Sequence, residues 1–309
     1  MQLVRFEGNP ILAPVKDHRW ESYAVFNGGA VLLGGSVHII YRGCDPERIS
    51  RWGYARSDDG LHIHERLPDP IYVPHGDIER FGCEDPRISL VGGRLFVSYT
   101  AYGITPGMEG ETRRSIQIAI TSLDVEDMVH QRWRWTEPFY PFPGVDNKGA
   151  VIFPEHFAGR YVMYHRIPPH IWVAYSRDLR HWSECSIVLS PRWEWEYYKI
   201  GTGAPPLKTE YGWLILYHAV DRRMIYRLGY AIAAPDDPSR IIYRHPYPIL
   251  EPEREFETQG TVSDIVFTCG AVLKDGTVYV YYGGADTVVC VATAPLEDFL
   301  APVRLWGVC

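Results

Sequence analysis

Along this chain apolar residues come in short runs in which every second position is apolar, and each run is bounded by a turn rich in Gly, Asp or Pro. A period of two is that of a strand with one buried face, and no stretch sustains the 3.6-residue period of a long amphipathic helix. One pattern recurs five times: a turn, usually with glycine, then an alternating strand that ends in Tyr plus one or two further residues. The copies read LLGGSVHIIYR, LVGGRLFVSYT, HFAGRYVMYHR, TEYGWLILYHA and LKDGTVYVYYG, and their shared tyrosines are Tyr41, Tyr99, Tyr164, Tyr217 and Tyr281. After each comes a second short strand with small residues and an acidic turn, as in RWGYARSDDG and RLGYAIAAPD, and in most copies a third run.

Units of this length, each a small antiparallel sheet, predict an all-β chain folded as a five-bladed β-propeller around a central channel. The blades fall at approximately 21–75, 80–140, 145–192, 199–252 and 262–300. No linker separates them, so 1–309 reads as a single domain whose first twenty or so residues close or cap the ring. A β-sandwich would leave five in-register copies to coincidence.

Composition narrows the class. An aromatic share of 14% with 28 Gly and 24 Pro suits a turn-rich, aromatic-walled fold and excludes a disordered chain. Lys and Arg number 31 against 38 Asp and Glu, a net charge of −7, and no basic run offers phosphates of a nucleic acid a stripe to follow. No window approaches the ~20 apolar residues of a membrane-spanning helix. The start, MQLVRFEGNPILAPV, has no basic segment followed by an apolar one, which predicts a cytoplasmic protein. Six cysteines (Cys44, Cys83, Cys185, Cys269, Cys290 and Cys309) stand singly without a C-x-x-C pair, which speaks against a zinc site and against disulfides in a reducing compartment.

In a propeller the innermost strand of every blade begins at the channel, so the residues just before it face a shared cavity. Here they read FNGGA, CEDPR, DNKGAVIFPE, KIGTGAPP and SDIVFTCGA. Glu84-Asp85 is the most pointed pair: Pro86 biases Asp85 toward an extended backbone that would aim its carboxylate inward, with Arg87 anchoring a neighbouring acid. Basic residues converge on the same end: Arg42, Arg51, Lys148, Arg166, Lys199 and His218. Cations gathered on a carboxylate-containing cavity predict a bound anion, with phosphate the obvious candidate. The small residues of YYGGAD bring the chain close and deliver Asp286, and the many Tyr and Trp rings suit the C–H faces of a carbohydrate.

The segments GCEDPRISLVGGRLFVSYTAYG, NKGAVIFPEHFAGRYVMYHR, KIGTGAPPLKTEYGWLILYHAV, YPILEPEREFETQG and VFTCGAVLKDGTVYVYYGGADTVVCVATAPLED, in this order, resemble glycoside hydrolase family 130 over nearly the whole chain. The resemblance implies a five-bladed propeller that phosphorolyses β-mannosides with inversion, or in some members hydrolyses them. It implies that Asp85 is the general acid, acting through the sugar's 3-hydroxyl, and that Asn27, Arg42, Arg87 and Asp286 hold the mannosyl unit. Lys199 and His218 resemble part of a phosphate cradle, joined by Arg51, Lys148, Arg166 and, less directly, Tyr226. The family's first segment commonly reads F-N-P-G-A and its third N-K-D or N-R-D, where this chain has F-N-G-G-A and N-K-G.

The expected reaction is attack of inorganic phosphate on a terminal β-mannosyl residue to give α-mannose 1-phosphate. The substrates are thus a β-mannoside oligosaccharide and phosphate as co-substrate, with no other cofactor, no metal, no nucleic acid and no membrane, and a homo-oligomer is compatible with the sequence. A phosphorylase needs an acid alone, whereas an inverting hydrolase needs a base as well. The competing readings are a β-mannosidase, with Asp85 as acid and Asp286 or Glu155 as base, and a carbohydrate-binding propeller without turnover. Linkage and acceptor depend on loops such as 103–114 and 192–198, whose shape the sequence leaves open.

Overall fold

The computed structural model describes residues 1–106 and 111–306. Cys309 and residues 107–110 of the 103–114 segment lie outside them. The chain is built of antiparallel strands arranged as five successive meanders. A short β1 (Val4–Arg5) stands apart in sequence from the unit it completes. The first unit holds β2 (Ala24–Leu33), β3 (Ser36–Cys44), β4 (Ser50–Ser57) and β5 (Glu65–Arg66), and the second β6 (Gly82–Val91), β7 (Arg94–Pro106) and β8 (Thr112–Asp124). The third has β9 (Lys148–Ile152), β10 (Tyr161–Ile167), β11 (His170–Ser176) and β12 (Trp182–Leu189). The fourth comprises β13 (Lys199–Thr202), β14 (Leu207–Thr209), β15 (Gly212–Val220), β16 (Tyr226–Ala233) and β17 (Ile241–Arg244). The fifth runs β18 (Val266–Lys274), β19 (Thr277–Gly284) and β20 (Val288–Pro295), with β1 as its fourth strand, Val4 opposite Thr293. Units one and two share one seven-stranded sheet through a parallel bridge, Ser50 to Gly82.

The glycine turns dictate the hairpins. Gly34–Gly35, Gly92–Gly93, Ala158–Gly159 and Asp275–Gly276 each place two consecutive residues at positive φ, the backbone whose twist matches that of the strands it joins. Each repeated strand is central in its unit, and Tyr41, Tyr99, Tyr164, Tyr217 and Tyr281 are all buried.

Contacts run from each unit to the next. Ser89 Oγ donates to the Ile152 carbonyl at 2.7 Å, Thr202 Oγ1 to the Gly149 carbonyl, and Tyr281 OH to the Gly60 carbonyl at 2.8 Å. Gly270 of β18 lies so close to β2 that a Cβ there would come within 2.5 Å of the Ala30 nitrogen, which leaves glycine as the residue that fits.

A buried carboxylate fixes the segment entering four of the units. Glu21, Glu79, Glu196 and Glu257 are each fully buried, and each accepts the hydroxyl of its own unit's tyrosine: Tyr41 at 2.9 Å, Tyr99, Tyr217 at 2.7 Å and Tyr282 at 2.8 Å. Arginines close three of these clusters: Arg66 on Glu21 at 2.6 Å, Arg244 on Glu196 at 2.7 Å and Arg5 on Glu257 at 2.8 Å. Full pairing is what makes a carboxylate tolerable at zero exposure. In the fifth unit the hydroxyl comes from Tyr282 rather than from the repeated Tyr281.

Candidate active site

The strands that open the units deliver the site through β-bulges. In β2 the pairing register slips between Phe26 and Gly29, and in β6 between Glu84 and Arg87. The residues released from the ladder, Asn27 and Asp85, adopt left-handed backbone at φ +50° and +54°, a region Asn and Asp enter at lower cost than most L-residues. The extended backbone expected of Asp85 before Pro86 is therefore not what forms; the bulge overrides the local preference and turns the side chain out of the sheet. β9 is bulged at the equivalent place, with Gly149 at φ +66°, and Asp286 follows β19 at φ +50°.

These side chains meet in a cavity of about 570 Å³ including its mouth. It is lined by Asn27, Arg42, Asp85, Arg87, Lys148, Gly149, Arg166, Lys199, His218, Tyr226, Ile265, Phe267 and Asp286. Ten of the eleven residues singled out in the sequence are among them. Arg51 is not: it pairs with Asp45 at 2.7 Å and lines a separate groove with Trp20 and Pro68. The register explains this, because Arg51 stands opposite Gly43 while Arg42 stands opposite Trp52, so the two arginines leave the sheet on opposite faces. Glu155, weighed as a base, is half exposed and bound to Lys208 at 2.6 Å, outside the cavity. Gly149, Ile265 and Phe267 line it without having been singled out, although all three lie in the segments read as strand starts. Of the two loops expected to shape specificity, 103–106 and 112–114 extend the β7–β8 hairpin, and 192–198 carries the Glu196 cluster.

One end of the cavity is carboxylate. Asp85 Oδ1 accepts from Asn27 Nδ2 at 2.8 Å and from Arg42 Nη1 at 3.1 Å, while Arg42 Nη2 holds Glu84 at 2.7 Å. Arg87 does not anchor an acid as expected: its Nε and Nη1 donate to the carbonyls of Gly203 and Asp85 at 2.9 and 2.8 Å. Burial pushes the Asp85 carboxyl up, but Arg42, Arg87 and Lys148 together with the Asn27 amide outweigh it and hold the pKa at about 2. Asp286 goes the other way. Burial raises it to about 6, Arg42 and Lys148 oppose that, and Asp85 and Glu84 add to it, so Asp85 is the more acidic of the two.

The other end is cationic. Lys199 is lowered to about 8 by burial and by the charges of Arg166 and Lys148. His218 is fully buried and held neutral by burial and by Arg166, Arg87 and Lys199; its Nδ1 donates to the Thr202 carbonyl at 3.2 Å and its Nε2 faces Arg166 Nη1 at 3.4 Å. His218 stacks on Tyr226 and packs against Phe267, and Lys199 Nζ lies 5.4 Å from the Tyr226 ring centre. Arg87 Nη2 and Arg166 Nε are buried without a hydrogen-bond partner. Unpaired guanidinium donors among mutually repelling cations fit a multivalent oxyanion, and the carboxylates opposite fit a group rich in hydroxyls. Among the described residues no cluster of three His, Cys, Asp or Glu side chains is placed to hold a metal ion.

The chain is similar to known proteins over nearly its whole length. A 1,2-beta-oligomannan phosphorylase from a Thermoanaerobacter species is 39% identical over 306 residues, covering 96% of this chain and 99% of that protein. A beta-1,2-mannobiose phosphorylase from the same organism is also 39% identical, over 96% of this chain and 98% of its own. The solved structure of a beta-1,2-mannobiose phosphorylase from Listeria innocua, in complex with beta-1,2-mannobiose, superposes with a TM-score of 0.81 at 26% identity, over 99% of this chain and 100% of that one. The family model described as beta-1,4-mannooligosaccharide phosphorylase matches residues 5–304, and the chain accordingly belongs to glycoside hydrolase family 130.

Proposed function

We propose that this protein is a glycoside phosphorylase that cleaves β-mannosides with inorganic phosphate and releases α-mannose 1-phosphate. The observation that carries the reading is the division of one cavity into a carboxylate end, Asp85 and Asp286, and a cationic end with two unpartnered guanidinium donors. Arg166, Lys199 and Lys148 hold phosphate at the cationic end, with His218 bracing Arg166 behind them and Tyr226 as the wall. Asn27, Arg42 and Asp286 hold the terminal mannosyl unit, and Arg87 stands between the two ends with its Nη2 free for the phosphate. A phosphate oxygen attacks the anomeric carbon from the face opposite the acceptor, the glycosidic bond breaks, and the leaving oxygen takes a proton from Asp85 relayed through the sugar's 3-hydroxyl. Phosphate arrives already anionic, so positioning by cations replaces the general base that water would need.

The β-1,2 linkage is the one this reading favours, supported by the names of the relatives at 39% identity. The unit-to-unit contacts, together with β1 completing the fifth sheet, support closure of the five units into a five-bladed propeller around the cavity. No helix among the described residues is long and apolar enough to cross a membrane, and a cytoplasmic setting suits a product whose phosphate keeps it inside the cell.

The test is incubation with β-1,2-mannobiose with and without phosphate. Mannose 1-phosphate forms only with phosphate, and Asp85→Asn, folded by circular dichroism, loses most of the turnover. Mannose released at the same rate in phosphate-free buffer overturns the reading in favour of a hydrolase.

A further inference from the structure

Arg87 touches both ends of the cavity. Its Nη1 bonds the Asp85 carbonyl, its Nε reaches across to Gly203 of the fourth unit, and its Nη2 is buried without a partner. The side chain is 1% exposed, so bulk water does not satisfy that third donor. Arg166, with its own unpartnered Nε, and Lys199 stand at the same end, and their charges oppose one another. An oxyanion is the species that relieves such crowding.

The same charges act on Asp85 in the opposite sense. Arg42 from β3, Arg87 from β6 and Lys148 from β9, with the Asn27 amide from β2, favour its carboxylate form. Burial and the neighbouring Asp286 oppose them, with Glu84 tied to Arg42. Arg166 from β10, Tyr226 from β16 and Cys269 from β18 also feel its charge. A general acid must carry a proton when the leaving group departs, yet the protein's own charges keep Asp85 ionised.

We propose that Arg87 couples the two ends: an oxyanion held by Arg87, Lys148, Arg166 and Lys199 neutralises the charge that keeps Asp85 ionised, so Asp85 takes up its proton when phosphate is in place. The proposal rests on the phosphorolytic reading above. Arg87 then binds the oxyanion directly and, through it, sets the charge state of Asp85. Water brings no charge and leaves Asp85 ionised, which is how the site favours phosphate over water as nucleophile without excluding water from the cavity.

Sulfate is the probe, because it has the shape of phosphate and keeps its charge at pH 5.5. Titration calorimetry in buffers of different ionisation enthalpy counts the protons taken up on binding. The wild type takes up about half a proton or more. Asp85→Asn binds sulfate with clearly smaller uptake, Arg87→Gln binds more weakly and also loses uptake, and Arg87→Lys, which keeps the charge, restores it. Equal uptake in the wild type and Asp85→Asn, or full uptake in Arg87→Gln, overturns the proposal, as does failure of sulfate to bind a protein that turns over with phosphate. Absence of phosphate-dependent turnover in the wild type is a different outcome, and overturns the functional reading on which the coupling rests. Should Arg87→Gln not fold, carboxyl carbon NMR on the wild type decides. The Asp85 resonance, assigned by its loss in Asp85→Asn, must titrate near or above about pH 5.5 in saturating sulfate, the shift that half a proton of uptake at that pH requires; a midpoint that stays below about pH 5 overturns the coupling.

Discussion

The Asn27 amide donates to Asp85 at 2.8 Å, and the two residues reach each other from equivalent bulges of neighbouring units. Each lies six residues after a buried glutamate, Glu21 or Glu79, that pins the entering segment to a tyrosine. The proposed acid is thus aimed by a contact between units as well as by its own strand.

Asn27→Ala removes a donor to a charged acceptor, a bond of about 1.5–3 kcal/mol, and places Ala at φ +50°. If the bond is worth as much in the transition state, kcat falls roughly 10- to 100-fold. The KM for phosphate, bound at the other end, stays within about threefold. Steady-state kinetics with each substrate varied in turn checks both; an unchanged kcat would remove Asn27 from the acid's support.

Lys199 sets an alkaline limit. Its charged form is the one that holds phosphate, and its pKa is lowered to about 8, so the charge is present below that pH and lost as pH rises through it. Bound phosphate favours the proton, and the affinity for phosphate therefore falls above pH 8 by up to about tenfold per pH unit. Lys199→Arg keeps its charge throughout and flattens this limb. Phosphate KM measured from about pH 6.5 to 9.5 in both proteins tests the assignment.

Arg51 separates position from composition. Paired to Asp45 outside the cavity, it should tolerate Ala with the phosphate KM changed less than about twofold. Lys148→Ala and Arg166→Ala should each raise that KM about tenfold or more, the loss of one charge-assisted contact. A large effect at Arg51 and none at Lys148 would contradict the geometry.

Glu257 joins the N-terminal strand to the last unit through Arg5 and Tyr282. Glu257→Ala leaves the buried Tyr282 hydroxyl without its acceptor and Arg5 with Glu253 as its one remaining carboxylate partner, a cost of about 2–4 kcal/mol. Chemical denaturation should show the loss, while kcat of the folded fraction stays near wild type because none of the three residues lines the cavity.

What the sequence makes legible follows from which signals are local. Residue pairs that end in glycine mark four hairpin turns because positive φ at two successive residues leaves few alternatives, and period-two alternation marks the strands between them. Lys148 and Lys199 are legible because they begin strands, and Asn27 and Asp85 because they lie in the first half of theirs, since the strands that open the units share one place in a repeated fold. The backbone of Asp85 is not, since a bulge is set by pairing with a strand met later in the chain, and Pro86 argues locally for a different conformation. Arg51 misleads for a related reason: whether it shares a face with Arg42 depends on register, and one residue of register inverts the answer. The glutamate clusters were open to reading, as an apolar residue followed by Glu recurs at Trp20-Glu21, Ile78-Glu79, Trp195-Glu196 and Phe256-Glu257, but an isolated Glu in a polar loop carries no sign of burial.

The pairing of β1 with β20 has a consequence for how the molecule is made. Asn9, near one end, exchanges hydrogen bonds with Val291, 282 positions away. The fifth sheet therefore gains its outer strand by closing a loop of that length, and tying so distant a pair costs roughly 5 kcal/mol of chain entropy. β1 comes before every other strand of the sheet it completes, and until it docks the β19–β20 hairpin keeps one edge open.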